Sequence, residues 1–329
     1  MTPEKIRVSI GTAAVLGLTD YRLDTEPTTA YLMTYTEGSC IANCAFCAQA
    51  RESASERSLL SRVMWPVFET ERALKGLGEH SGPITRICLQ VINYPSFLDD
   101  VLALLKAIKE TTNLPVSMDT CPVGESDLER LNNAGVERIS IPLDAATPGL
   151  FDEVKGRSAK GPYRWENHME TLRRAPEVFG PGNVMTNLIV GLGETEEEAV
   201  NLIQRLMDMD VRAVLFAFTP LPRTKLSKRP QPPLDSYRRI QLARHIIIEG
   251  MGRYEDMEFD GDGKLTGFGD IDVRSAIGDG EPFRTTGCPG CNRPFYNERP
   301  SGPFFNYPRA LTPEELEREA RSIGVDWYE

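Results

Sequence analysis

Three of the chain's seven cysteines fall within eight residues, in the stretch CIANCAFC that runs from Cys40 through Cys44 to Cys47. A zinc site wants four ligands and rarely uses a C-x3-C-x2-C spacing. A cubane iron–sulfur cluster held by three thiolates keeps one iron without a cysteine, open to a substrate or cofactor. Cys288 and Cys291 bracket a Pro-Gly pair in CPGC, a tight knuckle that alone reads as half of a zinc site. Cys88 and Cys121 stand singly in RICLQV and MDTCPVG, and Cys88 alone also suits a buried apolar position. The three histidines, His80, His168 and His245, show no ligand-like spacing.

These residues are carried by β-rich runs that alternate with helical ones. The pattern predicts strands at Thr29–Tyr35, Ile84–Val91, Leu114–Met118, Val136–Ile141, Val184–Val190 and Ala213–Phe218. Helices are signalled by Pro66, by Ser126 with Glu129, by Thr147 before Pro148, and by Thr195 with Glu198. Two more are predicted at Leu234–Glu249 and near Pro313–Ile323, the latter behind a Thr312/Glu315 capping box. Repeated βα units imply an α/β fold with a parallel sheet. With six units and no GxGxxG after the first strand, a TIM-like (βα) barrel, complete or partial, is favoured over a doubly wound sheet. Residues 1–28 then form an N-terminal extension and 29–280 the barrel. A C-terminal cysteine-bearing extension at 281–329 holds the CPGC knuckle and the last helix. The CIANCAFC loop follows the first strand, at the barrel face where active sites form.

The formal net charge of −11 over 329 residues disfavours a polyanionic partner. The most basic stretch, PRTKLSKR at Pro222–Arg229, reads as a solvated loop. No run of about 18 apolar residues suggests a membrane span, and no secretory signal is seen at MTPEKIRVSI. The expected location is therefore cytoplasmic, where cysteines serve as ligands, reactive groups or core residues rather than disulfides.

The cysteine loop, with Phe46 before its last cysteine, resembles the signature of radical S-adenosylmethionine (SAM) enzymes. The resemblance implies a [4Fe-4S] cluster whose open iron takes the amino and carboxylate groups of SAM. NLIVGLGET (Asn187–Thr195) is similar to the family's GxIxGxxE segment, with Ile189 behind the adenine and Asn187 in place of the first Gly. IPLDAATPGLFDEVKG (Ile141–Gly156) resembles the biotin-synthase branch, where Asp144 matches a ribose-binding carboxylate. His168 falls where that branch carries an Arg near the SAM carboxylate. Arg223, in FTPLPRTKL, belongs to a loop similar to those that close over SAM. LQVIN replaces the usual Gly-Gly-Glu, leaving the contact to the SAM amine unassigned.

Cys88 and Cys121 match cysteines that hold biotin synthase's auxiliary [2Fe–2S] cluster, while Met185 stands at the third such position. Added to Cys288 and Cys291 they make four, which implies a second cluster, most simply [4Fe-4S]. The combination resembles the two-protein lipoyl synthases over nearly the whole chain. Such a protein cleaves SAM to methionine and a 5′-deoxyadenosyl radical. The radical takes hydrogen from an octanoyl chain, and sulfur from the auxiliary cluster is inserted. The resemblance implies an octanoylated lipoyl carrier protein or its peptide as substrate, a sister lipoyl synthase protein, and an electron donor such as ferredoxin or flavodoxin. From the charge and the lack of a long apolar run, no nucleic acid and no membrane partner is expected. Competing readings are a biotin synthase or mutase of the same branch, or a non-catalytic iron–sulfur or zinc protein.

Overall fold

The alternating runs resolve into one eight-stranded sheet in the computed structural model, which describes residues 1–79 and 82–325. His80 lies outside the described residues. Strand β1 (Lys5–Val8) pairs antiparallel with β2 (Thr29–Thr34) on one side and with β5 (Val67–Glu69) on the other. A small hairpin, β3 (Leu59–Leu60) and β4 (Val63–Met64), lies between them in sequence. From β2 onward the sheet is parallel, continuing through β6 (Arg86–Gln90), β7 (Val116–Asp119), β8 (Val136–Ser140), β9 (Val184–Val190) and β10 (Val211–Ala217). Another hairpin, β11 (Glu258–Phe259) with β12 (Leu265–Gly267), stands apart from the sheet.

After the short α1 (Ile10–Val15), the crossovers are α2 (Thr70–Glu79), α3 (Phe97–Thr111), α4 (Glu125–Asn133), α5 (Pro148–Val154), α6 (Trp165–Phe179) and α7 (Glu196–Met207). The chain ends with α8 (Leu234–Ile248), α9 (Val273–Ile277) and α10 (Pro313–Ser322). Helix α3 shows why they dock. Val101, Leu104, Leu105 and Ile108 recur on one face, and all four are buried. Strand β2 is buried at all six positions, as a strand covered on both faces must be.

Local signals set the helix starts. The Thr147 hydroxyl accepts from Leu150 N at 3.2 Å with Pro148 in the first turn, and both threonine capping boxes form. Two expected starts differ. Helix α4 begins one residue before Ser126, capped by Gly124. Pro66 opens strand β5 instead of a helix, because Val8 N bonds to Pro66 O at 3.1 Å and draws the segment onto β1. Strand β1 also joins residues 5–8, expected in an extension, to the main sheet.

The strand order ends at β10 and β5, which do not pair, so the barrel is partial. The C-terminal segment bonds to β10 and to the β3–β4 hairpin. Thr286 Oγ1 accepts from Leu215 N at 2.9 Å, Asn297 Nδ2 donates to Ala217 O at 2.8 Å, and Ser61 Oγ donates to Tyr296 O at 2.9 Å. A buried ion pair holds it from behind: Arg238 Nε meets Glu319 Oε2 at 2.8 Å, and Arg238 Nη1 donates to Phe305 O at 2.6 Å. Among the described residues, no helix is long and apolar enough to cross a membrane.

Candidate active site

All seven cysteines line one cavity of about 500 Å³ inside the sheet. The loop bearing Cys40, Cys44 and Cys47 has no regular secondary structure and is fixed by backbone bonds to neighbouring units. Ile41 N reaches Asn93 O at 2.8 Å, Ala45 N reaches Val154 O at 2.7 Å, and Leu226 N reaches Ala45 O at 3.2 Å. Asn43 Nδ2 adds a bond to Ala159 O at 2.7 Å. Burial is the main influence on all three thiols. It raises Cys40, raises Cys44 far above the usual thiol range, and pushes Cys47 up to about 12. Buried thiols of this kind ionise when a metal supplies the positive charge. Among the described residues no three His, Cys, Asp or Glu side chains converge as a single-ion site. A cubane does not require that, because each thiolate has its own iron.

Beside this loop sits a pair of buried charges. Lys155 Nζ meets Asp144 Oδ2 at 2.6 Å and also donates to Pro142 O. Asp144 sits in the left-handed region at φ 67° and is spliced onto β9, with Asp144 N bonded to Asn187 O and Ile189 N to Asp144 O, each at 2.8 Å. Burial is the largest influence on Lys155 and pushes its pKa down, but Asp144 and Cys44 together outweigh it and the net shift is upward. Phe46 and Ile189 also line the cavity. His168 and Arg223 do not. His168 is buried in α6 between the Phe151 and Tyr163 rings, whose centroids are 4.9 and 5.1 Å away, and Nδ1 lies 3.0 Å from Arg164 O. Burial, with Lys155 nearby, lowers it to about 2, so it is a neutral core residue and not a cation facing a carboxylate. Arg223 is exposed on its loop. Lys155 escaped the sequence reading because nothing in FDEVKG marks a lysine at a helix end for burial.

Strand register builds the other thiol group. Cys88 on β6 is level with Tyr31 on β2 and with Ser117 on β7. The CPGC knuckle straddles this row: Cys291 Sγ lies 3.1 Å from Tyr31 Oη, and Cys288 Sγ lies 3.0 Å from Ser117 Oγ. Each hydroxyl already accepts a bond, Tyr31 from Arg293 N at 3.1 Å and Ser117 from Arg86 Nη1 at 3.0 Å. Each proton is thereby free to point at sulfur. Gln90 Nε2 donates to Cys88 Sγ at 3.1 Å and to Asp119 Oδ2 at 2.7 Å. Burial raises Cys88 strongly, with Asp119, Cys288 and Cys291 adding to it, and pushes Cys288 up to about 11. Outside the row, Arg293 stacks on Phe216, 3.9 Å from the ring centroid.

Cys121, expected as the fourth member of this group, opens to the same cavity but stands apart from the row. It follows the end of β7, four residues beyond the level of Cys88, or roughly 13 Å along an extended chain. Its thiol is raised to about 11 by burial first, and its charged neighbours are Cys40 and Lys155. Tyr31, Ser117 and Arg293 were likewise not anticipated. Only cross-strand register and the path of the C-terminal segment bring them to the knuckle. Met185, on β9, lines the same cavity.

A family model for the radical SAM superfamily matches residues 36–206, just over half of the chain. Biotin synthase from Clostridium acetobutylicum is 28% identical over 225 residues, covering 66% of this chain and 65% of that protein. Biotin synthase from a Sulfurihydrogenibium species is 26% identical, covering 63% of this chain and 60% of that protein. The chain thus spans slightly less than two thirds of the length of these curated relatives. Among solved structures, methylornithine synthase (PylB) superposes with a TM-score of 0.50 at 15% identity, covering 73% of this chain and 67% of that one, a likeness of fold. Taken with a three-cysteine loop at the C-terminal end of the first parallel strand, these matches establish that the chain belongs to the radical SAM superfamily, whose members carry a [4Fe-4S] cluster and SAM.

Proposed function

We propose that this enzyme inserts sulfur into an unactivated C–H bond of a protein-bound octanoyl chain, as lipoyl synthases do. One observation carries the reading: the knuckle cysteines Cys288 and Cys291 meet the strand row that bears Cys88, and all three open to the same cavity as the Cys40 loop. Cys40, Cys44 and Cys47 hold the cluster that, with SAM bound, supplies a radical able to take such a hydrogen. Cys88, Cys288 and Cys291 hold a second iron–sulfur centre as sulfur donor. Ser117 and Tyr31 direct their hydroxyl protons at its thiolates. Met118, Met185, Val214 and Phe216 give the cavity an apolar wall suited to a thin alkyl chain. The proposed partners are an octanoylated carrier protein, a sister lipoyl synthase and a ferredoxin or flavodoxin.

The names of the relatives favour a biotin synthase as second reading, against which Met185 stands at a position where that branch has a cysteine ligand. Anaerobically reconstituted protein is given SAM, a reductant and either an octanoyl-lysine peptide or dethiobiotin, and products are read by mass spectrometry. Sulfur added to the peptide is expected. Sulfur added only to dethiobiotin selects the second reading, and SAM cleavage without sulfur transfer to either substrate refutes both.

A further inference from the structure

SAM carries one carboxylate, and enclosing it in a cavity is costly unless a cation meets it. Four cationic side chains line the cavity: Arg22, Arg62, Lys155 and Arg293. Arg22 is exposed at the mouth, and Arg62 sits on the loop of the β3–β4 hairpin. Arg293 is spent on the knuckle side, stacked on Phe216 with its guanidinium bonded to Leu215 O and Thr286 O, each at 3.3 Å. Lys155 alone is fixed to the radical-cluster loop, because the carbonyl of Val154 accepts Ala45 N at 2.7 Å, one residue from Cys44. Its ammonium has three donors. Two are used, on Asp144 Oδ2 and Pro142 O, and the Tyr163 ring flanks it with its centroid at 5.2 Å.

We infer that Lys155 holds the SAM carboxylate with its remaining donor, taking the place left by the buried His168. Asp144 keeps the ammonium charged and oriented in the absence of SAM. This rests on the family's cofactor and not on the sulfur-insertion reading, so the two can fail separately.

The test measures equilibrium binding of SAM and of its decarboxylated analogue to reconstituted, oxidised protein, in which no turnover occurs. Wild type is expected to prefer SAM. Lys155→Met should weaken SAM by about 10- to 100-fold, as for a lost charge-assisted bond. It should leave the analogue nearly unchanged, so that the preference narrows to what the open iron's hold on the carboxylate supplies. Lys155→Arg should restore part of it. Asp144→Asn, which keeps the cation, should retain the preference. If Lys155→Met does not fold, the double variant Asp144→Asn/Lys155→Met leaves no unpaired buried charge and serves instead, with iron content and melting temperature as controls. Equal weakening of both ligands, or a preference undiminished by loss of Lys155, overturns the assignment.

Discussion

Cys121→Ala and Cys88→Ala are expected to behave oppositely, although both remove a single partly buried cysteine that lines the cavity. Cys88 is level with Ser117, which touches Cys288, and with Tyr31, which touches Cys291. Adjacent strands are about 4.8 Å apart, so these three sulfurs lie within reach of one cluster. Cys121 stands four residues beyond Ser117, roughly 13 Å along an extended chain, and its charged neighbours are Cys40 and Lys155. Reconstituted wild type should bind about eight irons if both centres are cubanes. Cys88→Ala, Cys288→Ala or Cys291→Ala should each drop this to about four and still cleave SAM reductively. Cys121→Ala should keep about eight. Iron analysis with Mössbauer spectroscopy reads the count and the cluster type. A loss of about four irons in Cys121→Ala, with none in Cys88→Ala, would refute the register argument.

Further perturbations test the surroundings. Tyr31→Phe removes the hydroxyl on Cys291 and should speed loss of the second cluster to a chelator several-fold, with SAM cleavage retained; equal loss rates would deny the hydroxyl a role. Glu319→Gln takes the partner from buried Arg238 and should cost about 3–5 kcal/mol in denaturant unfolding, since an unpaired buried charge remains. Glu298 is buried, its Oε2 has no partner, and burial raises it from 4.5 to about 7. A raised acid keeps its proton in the folded state where the unfolded chain has lost it, so stability falls as pH rises from 4.5 to 7 and stays lower above that. Glu298→Gln should therefore stabilise by up to about 3 kcal/mol at pH 8 and by almost nothing near pH 4.5. A gain independent of pH would contradict the titration.

The sequence alone determined what depends on short separations along the chain. Three thiols within eight residues share a loop in any fold, and Thr195 with Glu198 or Thr312 with Glu315 caps a helix through bonds spanning one turn. Alternating strands and helices likewise declared a parallel sheet. Tertiary structure decided what lies level across strands. Pleat and register set Tyr31, Cys88 and Ser117 in one row and left Cys121 near Cys40, a distinction that no count of cysteines contains. The same holds for charge. Lys155 and His168 look like ordinary helix residues in the sequence, and only the seating of α5 on the cysteine loop and of α6 on α5 puts the lysine at the cavity and buries the histidine in the core.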